Sequence, residues 1–256
     1  ITAVDDIFLR SGDNGAGALT LNGTLTTSAA DGQILLQSDS GVTQTAAAII
    51  TTSELLLGGD LADEGSGNFV LTEANTVSFL AADLEDNLSF TNTTSLEIAD
   101  LTYSSVCLTT ESICGINIGG DLVLDVTGSL TQTASVIVGG TSDLTATVNI
   151  CLTGADCTGD GLNDNDFVGE VTATGSTVEI VDSNALTTGV ITAVDDIFLR
   201  SGDNGAGALT LNGTLTTTAA DGQILLQSDS GVTQAAASVI TTNELLLGGD
   251  LADEGS

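Results

Sequence analysis

ITAVDDIFLRSGDNGAGALTLNGTLTT opens the chain at residues 1–27 and returns unchanged at residues 191–217. The match continues to the last residue. Segments 1–66 and 191–256 differ only at Ser28/Thr218, Thr45/Ala235, Ala48/Ser238, Ile49/Val239 and Ser53/Asn243. The offset is 191 − 1 = 190 residues, so 1–190 is one complete tandem unit and 191–256 begins the next. A fixed long period is the mark of a repeat architecture, in which each unit buries its apolar face against its neighbours. Two near-identical copies also argue against a unique active site.

Inside this stretch the pattern is short alternation. ALTLNGTLTT puts Leu19, Leu21 and, beyond the Asn-Gly corner, Leu25 on one face, with Thr on the other. QILLQSDSGVTQ and AAAIITTSELLLGG carry the scheme on, broken by Ser, Asp and Gly. No segment has the sustained three-four spacing of a long helix; the Ala46–Ala48 run is too short and is followed by β-branched residues. The expected fold is therefore all-β.

A weaker echo lies within the unit. SGVTQTAAAII at 40–50 matches GSLTQTASVIV at 128–138, an offset of 128 − 40 = 88. The segment beginning at Asn75 matches the one beginning at Asn165, an offset of 165 − 75 = 90, which aligns Leu88 with Val178, Phe90 with Ile180 and Leu96 with Leu186. The unit reads as two diverged halves, roughly 32–121 and 122–221 in a shifted frame.

Strands this short cannot bury a face alone. Turns of about 20 residues stacked parallel at about 4.8 Å would place about nine coils in each unit, advancing about 40–45 Å. The expected architecture is a right-handed parallel β-helix, a solenoid continuous through both units, with inward Leu, Val and Ile ladders and Asn or Thr stacked at corners. A β-sandwich is the rival architecture.

Composition narrows the partners. There are 35 acidic residues, two basic ones (Arg10 and Arg200), no Lys and no His, a net charge of −33. Nucleic acid and anionic membrane surfaces bind through Lys and Arg, so neither is expected as a partner. Apolar residues at 41% nonetheless supply a core, which separates the chain from acidic disordered segments. The missing Met, and the lack of an apolar leader or transmembrane run, lead us to expect a window of a longer array whose export signal lies elsewhere.

GQILLQSDSGVTQTAAAIITTSELLL, GGDLVLDVTGSLTQTASVIV and NTVSFLAADLEDNLSFTNTTSLEI resemble the repeats of filamentous-haemagglutinin-type exoproteins, a family of very long bacterial surface proteins. The resemblance covers nearly the whole chain. It implies a right-handed parallel β-helix, outer-membrane export, and roles in adhesion, aggregation or biofilm.

Four cysteines fall as two local pairs, and the short spacing favours disulfides Cys107–Cys114 and Cys151–Cys157 in an oxidising compartment. Zinc is the rival, but C-x2-C spacing and His partners are both missing. DCTGDGLNDNDF at 156–167 reads as a calcium loop. Asp156, Thr158, Asp160, the Leu162 carbonyl and Asp164 supply oxygens, and Gly161 permits the bend. It is similar to dockerin and thrombospondin type 3 loops, although Phe167 stands where a bidentate acid closes such loops. The plain alternative is an acidic solvated loop. Calcium is the one cofactor this sequence brings into view, and none is required.

Asp5 and Asp6, repeated as Asp195 and Asp196, form the best carboxylate pair for glycoside chemistry. No Lys, His or Trp accompanies them to tune a proton or stack a sugar, so an acidic corner is the preferred reading. Arg10 and Arg200 read as surface ion-pair residues, and GGDLADEGSG at 58–67 lacks the Lys of a phosphate loop. The expectation is a non-enzymatic structural segment of a long secreted or cell-surface bacterial fibre. Its partners would be neighbouring repeats and other fibres, laterally or head to tail. An adhesin shaft binding glycans or a receptor is the alternative, and a polysaccharide-active β-helix enzyme comes third.

Overall fold

A computed structural model of the chain describes residues 1–12, 17–58, 67–104, 110–154, 164–202 and 207–248. Among them all regular secondary structure is β-strand. Twenty-seven strands join in one system of parallel pairings, and two form an antiparallel hairpin, Asp100–Tyr103 with Glu111–Cys114. No helix among the described residues is long and apolar enough to cross a membrane.

Two ladders can be followed from one unit into the next, beside a further set that pairs Thr26 with Thr51 and Leu215 with Ile240. In the first, Ile7 pairs with Ile34, Ile34 with Leu55, Leu55 with Leu80 and Leu80 with Ile98. The strand of Ile98, Leu96–Ile98, pairs through Leu96 with Leu130; Ile150, Val178 and Ile197 follow. Eight pairings thus lead from Ile7 to Ile197, its equivalent one unit on. The second ladder runs Leu19, Val42, Phe69, Leu88, Leu122, Ser142 and Val171. It then reaches Leu209 through the Leu186–Ala193 strand.

The nine layers expected from uniform steps are therefore eight. Four steps on the first ladder exceed 24 residues (27, 25, 34 and 28), and the two longest take in extra chain. The hairpin falls between Ile98 and Ile116, and residues 153–165 fall between Leu152 and Asp166.

The alternation read from sequence sets which side chains go inside. Leu122–Val126 alternates buried and exposed along its length, and Leu130, Leu144, Ile150 and Phe167 are fully buried. Leu21 and Leu25 are buried, Leu19 packs beside them, and Thr20 is exposed. One continuous apolar cluster extends from Ile7 to Leu226. At about 25 cal/mol per Å2 of apolar area removed from water, such a cluster supplies the main driving force for stacking.

The corners need special backbone. Gly41 has φ +89°, and a β-carbon there would stand 2.4 Å from the Asn68 carbonyl oxygen. Two corner substitutions between the copies offset one another. The Thr45 hydroxyl donates to the Leu21 carbonyl (3.2 Å), a bond that Ala235 cannot make. Ser238, in place of Ala48, donates instead to the Gly213 carbonyl (2.6 Å).

The 88–90-residue echo does not keep its place on the ladders. Val42–Gln44 lies on the Leu19 ladder, whereas its match Leu130–Gln132 lies on the Ile7 ladder. Likewise Leu88 and Val178 stand on different ladders.

Candidate functional site

Two polar groupings stand out from the apolar frame. The first is outward. Asp5, Asp6, Asp31, Gln33 and Glu54 line a concavity of about 370 Å3. The corner before Ile7 presents Asp5 and Asp6, while Gln33 and Glu54 are paired residues on adjacent strands. The Gln33 backbone N–H donates to Asp6 (3.2 Å), and its side-chain amide donates to Glu54 and to the Thr102 carbonyl (3.0 Å). The arrangement returns one unit on, where Gln223 donates to Asp196 (2.9 Å) and to Glu244 (2.8 Å). Its chemistry is that of four carboxylates around one amide. Among the described residues no group of three or more His, Cys, Asp or Glu is placed to hold a metal ion.

The second grouping is internal. Asn75, Asn92, Asn165 and Asp182 are all fully buried at corners. Asn75 accepts the Ile50 N–H (2.9 Å) and forms a two-way amide pair with Gln44 (2.7 and 3.2 Å). Asn165 does the same with the Val136 N–H (2.8 Å) and with Gln132 (2.9 Å in each direction). Asn92 accepts the Val77 N–H and donates to the Val77 carbonyl, both at 2.9 Å. A buried amide earns its place by satisfying backbone groups that the corner takes out of the ladders.

Asp182 occupies the fourth corner. Its carboxylate accepts the N–H groups of Phe167 (2.9 Å) and Asn184 (2.7 Å). Burial away from water pushes its pKa up to about 7 against the pull of those two bonds, and the charge of Asp166 adds to the rise. Sequence reasoning anticipated corner Asn ladders but not these residues. The signal was present in the echo, which aligns Gln44 with Gln132, Asn75 with Asn165 and Asn92 with Asp182.

The cysteine expectation is corrected in part. Cys151 is a free thiol, so the 151–157 bridge is not formed. It sits within the Asn149–Leu152 strand, half-buried, with its thiol donating to Glu179 on the adjacent strand (3.5 Å). Burial raises its pKa first of all; a contact with Thr153 opposes this and Glu179 adds to it. Cys114 is disulfide-bonded. Cys107 and Cys157 lie outside the described residues.

Of the calcium-loop residues, Asp156, Thr158, Asp160 and Leu162 also lie outside the described residues, and Asp164 lies within them. Arg10 and Arg200 are half-buried at equivalent rungs, paired with Gln37 and Gln227. The structure brings Asp5 and Asp6 together with Asp31 and Glu54, but places no basic side chain in the lining of that concavity. Comparison with family models, curated proteins and solved structures finds no match for this chain.

Proposed function

We propose that this chain is a structural segment of a right-handed parallel β-helical rod, eight coils to the 190-residue unit, within a long bacterial cell-surface or secreted fibre. The observation that carries the reading is the return of one set of rungs after one whole unit. Ile7, Ile34 and Leu55 stack in the register of Ile197, Ile224 and Leu245. The right hand follows from the general handedness of crossovers between parallel strands.

The mechanism is mechanical. Ladder hydrogen bonds run along the rod, the apolar cluster binds each layer to the next, and buried amides lock the corners. The acidic exterior keeps rods soluble and leaves divalent cations, calcium included, as agents for linking them. The acidic concavity is a recurring corner of the rod and not a catalytic pair, because among the described residues that line it none is a proton relay or a sugar-stacking group. Neighbouring repeats are the partners, with adhesion a consequence of what the shaft displays.

Diffraction from oriented assemblies of the native protein tests this. Eight layers at about 4.8 Å give an axial repeat of about 38 Å. A meridional reflection near the layer spacing together with that repeat supports the rod. Globular particles without an axial repeat would rule it out in favour of packed sandwich domains.

A further inference from the structure

One side of the chain is nearly free of charge. Thr145, Thr174, Thr192 and Thr216 are outward rungs on four consecutive layers. Thr26 is the equivalent of Thr216, and from it the column continues through Thr51 and Thr76. Beside it stands a second outward column, in which Thr43, Val70, Ser89 and Val123 are consecutive rungs. Through the eight layers of a unit the two columns present sixteen side chains, of which only Asp125 and Asp143 are charged. Eleven of the others are Thr.

This stands out in a unit that holds 26 acidic residues. The outward column of the first ladder carries Glu54, Glu97 and Glu179. The uncharged columns are open to solvent, with Val70 at 36% and Val123 at 39% exposed. Val70, Ser89, Val123, Thr145 and Thr174 each have a paired layer on both sides, so they are open laterally and not at an end of the stack.

We propose that this Thr- and Val-bearing side is the face through which two copies of the chain pack side by side. The proposal rests on the rod reading and adds the contact that rods use, without a bridging cation. Three considerations select a second copy as the occupant. Chains of net charge −33 repel one another through their acidic sides and least through this one. A second copy presents the same layer spacing, so rungs that fit at one layer fit at every layer. A strip about 15 Å wide and about 38 Å long buries about 1,200 Å2 in total per unit, at the lower end of specific interfaces, and each further unit adds as much.

Small-angle scattering and sedimentation of the chain in EDTA, from micromolar to millimolar concentration, test the proposal. The expected result is a concentration-dependent dimer whose cross-section grows while its length stays that of one rod. Thr145→Asp combined with Thr174→Asp should weaken dimerisation at least tenfold, and so should Val123→Asp at another layer of the same face. Thr131→Asp, on the column of Glu97, should leave it unchanged. Circular dichroism and thermal unfolding identify the variants that fold, and either face variant suffices. Four results would each overturn the proposal and leave the rod intact: a rod that stays monomeric at millimolar concentration, a dimer that forms only with a divalent cation, an end-to-end dimer of doubled length, or a dimer indifferent to the face variants. A globular particle would remove the rod and this face with it.

Discussion

Asp182 accepts the Phe167 N–H at 2.9 Å in the role that Asn92 plays toward the Val77 N–H at the same distance, 182 − 92 = 90 residues earlier. One corner uses an acid where the other uses an amide, and both are sealed from water. The acid makes that corner titratable. Its folded pKa, about 7, lies above the ordinary aspartate value of 3.8, so the folded state holds the proton more tightly than the unfolded chain does. The stabilisation is complete below the unfolded value and is lost as pH rises through about 7. Asp182→Asn should therefore gain stability over the native chain above neutral pH, by about 3 kcal/mol, and lose this advantage near pH 4. Urea denaturation of both proteins across that range measures it; parallel pH profiles would refute the assignment.

The amide pairs should be costly to break. Asn75→Ala leaves the Ile50 N–H without its acceptor in a dry corner and takes one bond from each end of the Gln44 amide, which keeps the Ala48 carbonyl and the Glu73 N–H. A loss of about 3 kcal/mol is expected, since each stranded buried group costs about 1–3 kcal/mol. Asn165→Ala should cost a similar amount at the matching corner. Thermal unfolding of the two variants checks both figures.

Leu56 and Leu246 are the same residue of the repeat in two surroundings. Leu56 is wholly covered and Leu246 is 40% exposed. Leu56→Ala should cost about 2–4 kcal/mol through lost burial and a cavity under the hairpin. Leu246→Ala should cost less than about 1 kcal/mol. Equal losses would mean that the hairpin and the Ala81 rung that together cover Leu56 contribute nothing to that site.

Thiol chemistry separates the cysteines. Cys151 should alkylate slowly at neutral pH and faster as pH rises, because burial and Glu179 hold its thiol protonated. Cys114 should resist alkylation until a reductant is added. Mass spectrometry of peptides after alkylation at stepped pH reads both.

Much of the frame was legible in the sequence. The 190-residue return marked equivalent positions one unit apart, alternation placed Leu21 and Leu25 on the inward face, and the echo aligned Leu88 with Val178 and Phe90 with Ile180, all of them buried. Layer number was not legible, because a step between strands is lengthened freely by an inserted hairpin or loop without disturbing the ladders on either side. The corner amides were hidden for another reason. A buried Asn and a surface Asn look alike in a polar corner, and only the fold decides which one faces a stranded N–H. The Cys151–Cys157 expectation failed on the same ground, since proximity in sequence did not reveal that Cys151 belongs to a strand and faces Glu179.

The shift of the internal echo between ladders bears on how such a gene can lengthen. Ile7 and Ile197 return to the same ladder, so duplication of a whole unit leaves every apolar residue facing inward and every corner amide opposite its N–H. Copying only the 88–90-residue segment would deliver Leu130-type strands onto the ladder of Val42 and misplace its corners. Recombination that adds or drops material would therefore be tolerated in whole units and purged in halves. Selection on register alone would then keep long copies nearly identical while the halves within them drift apart.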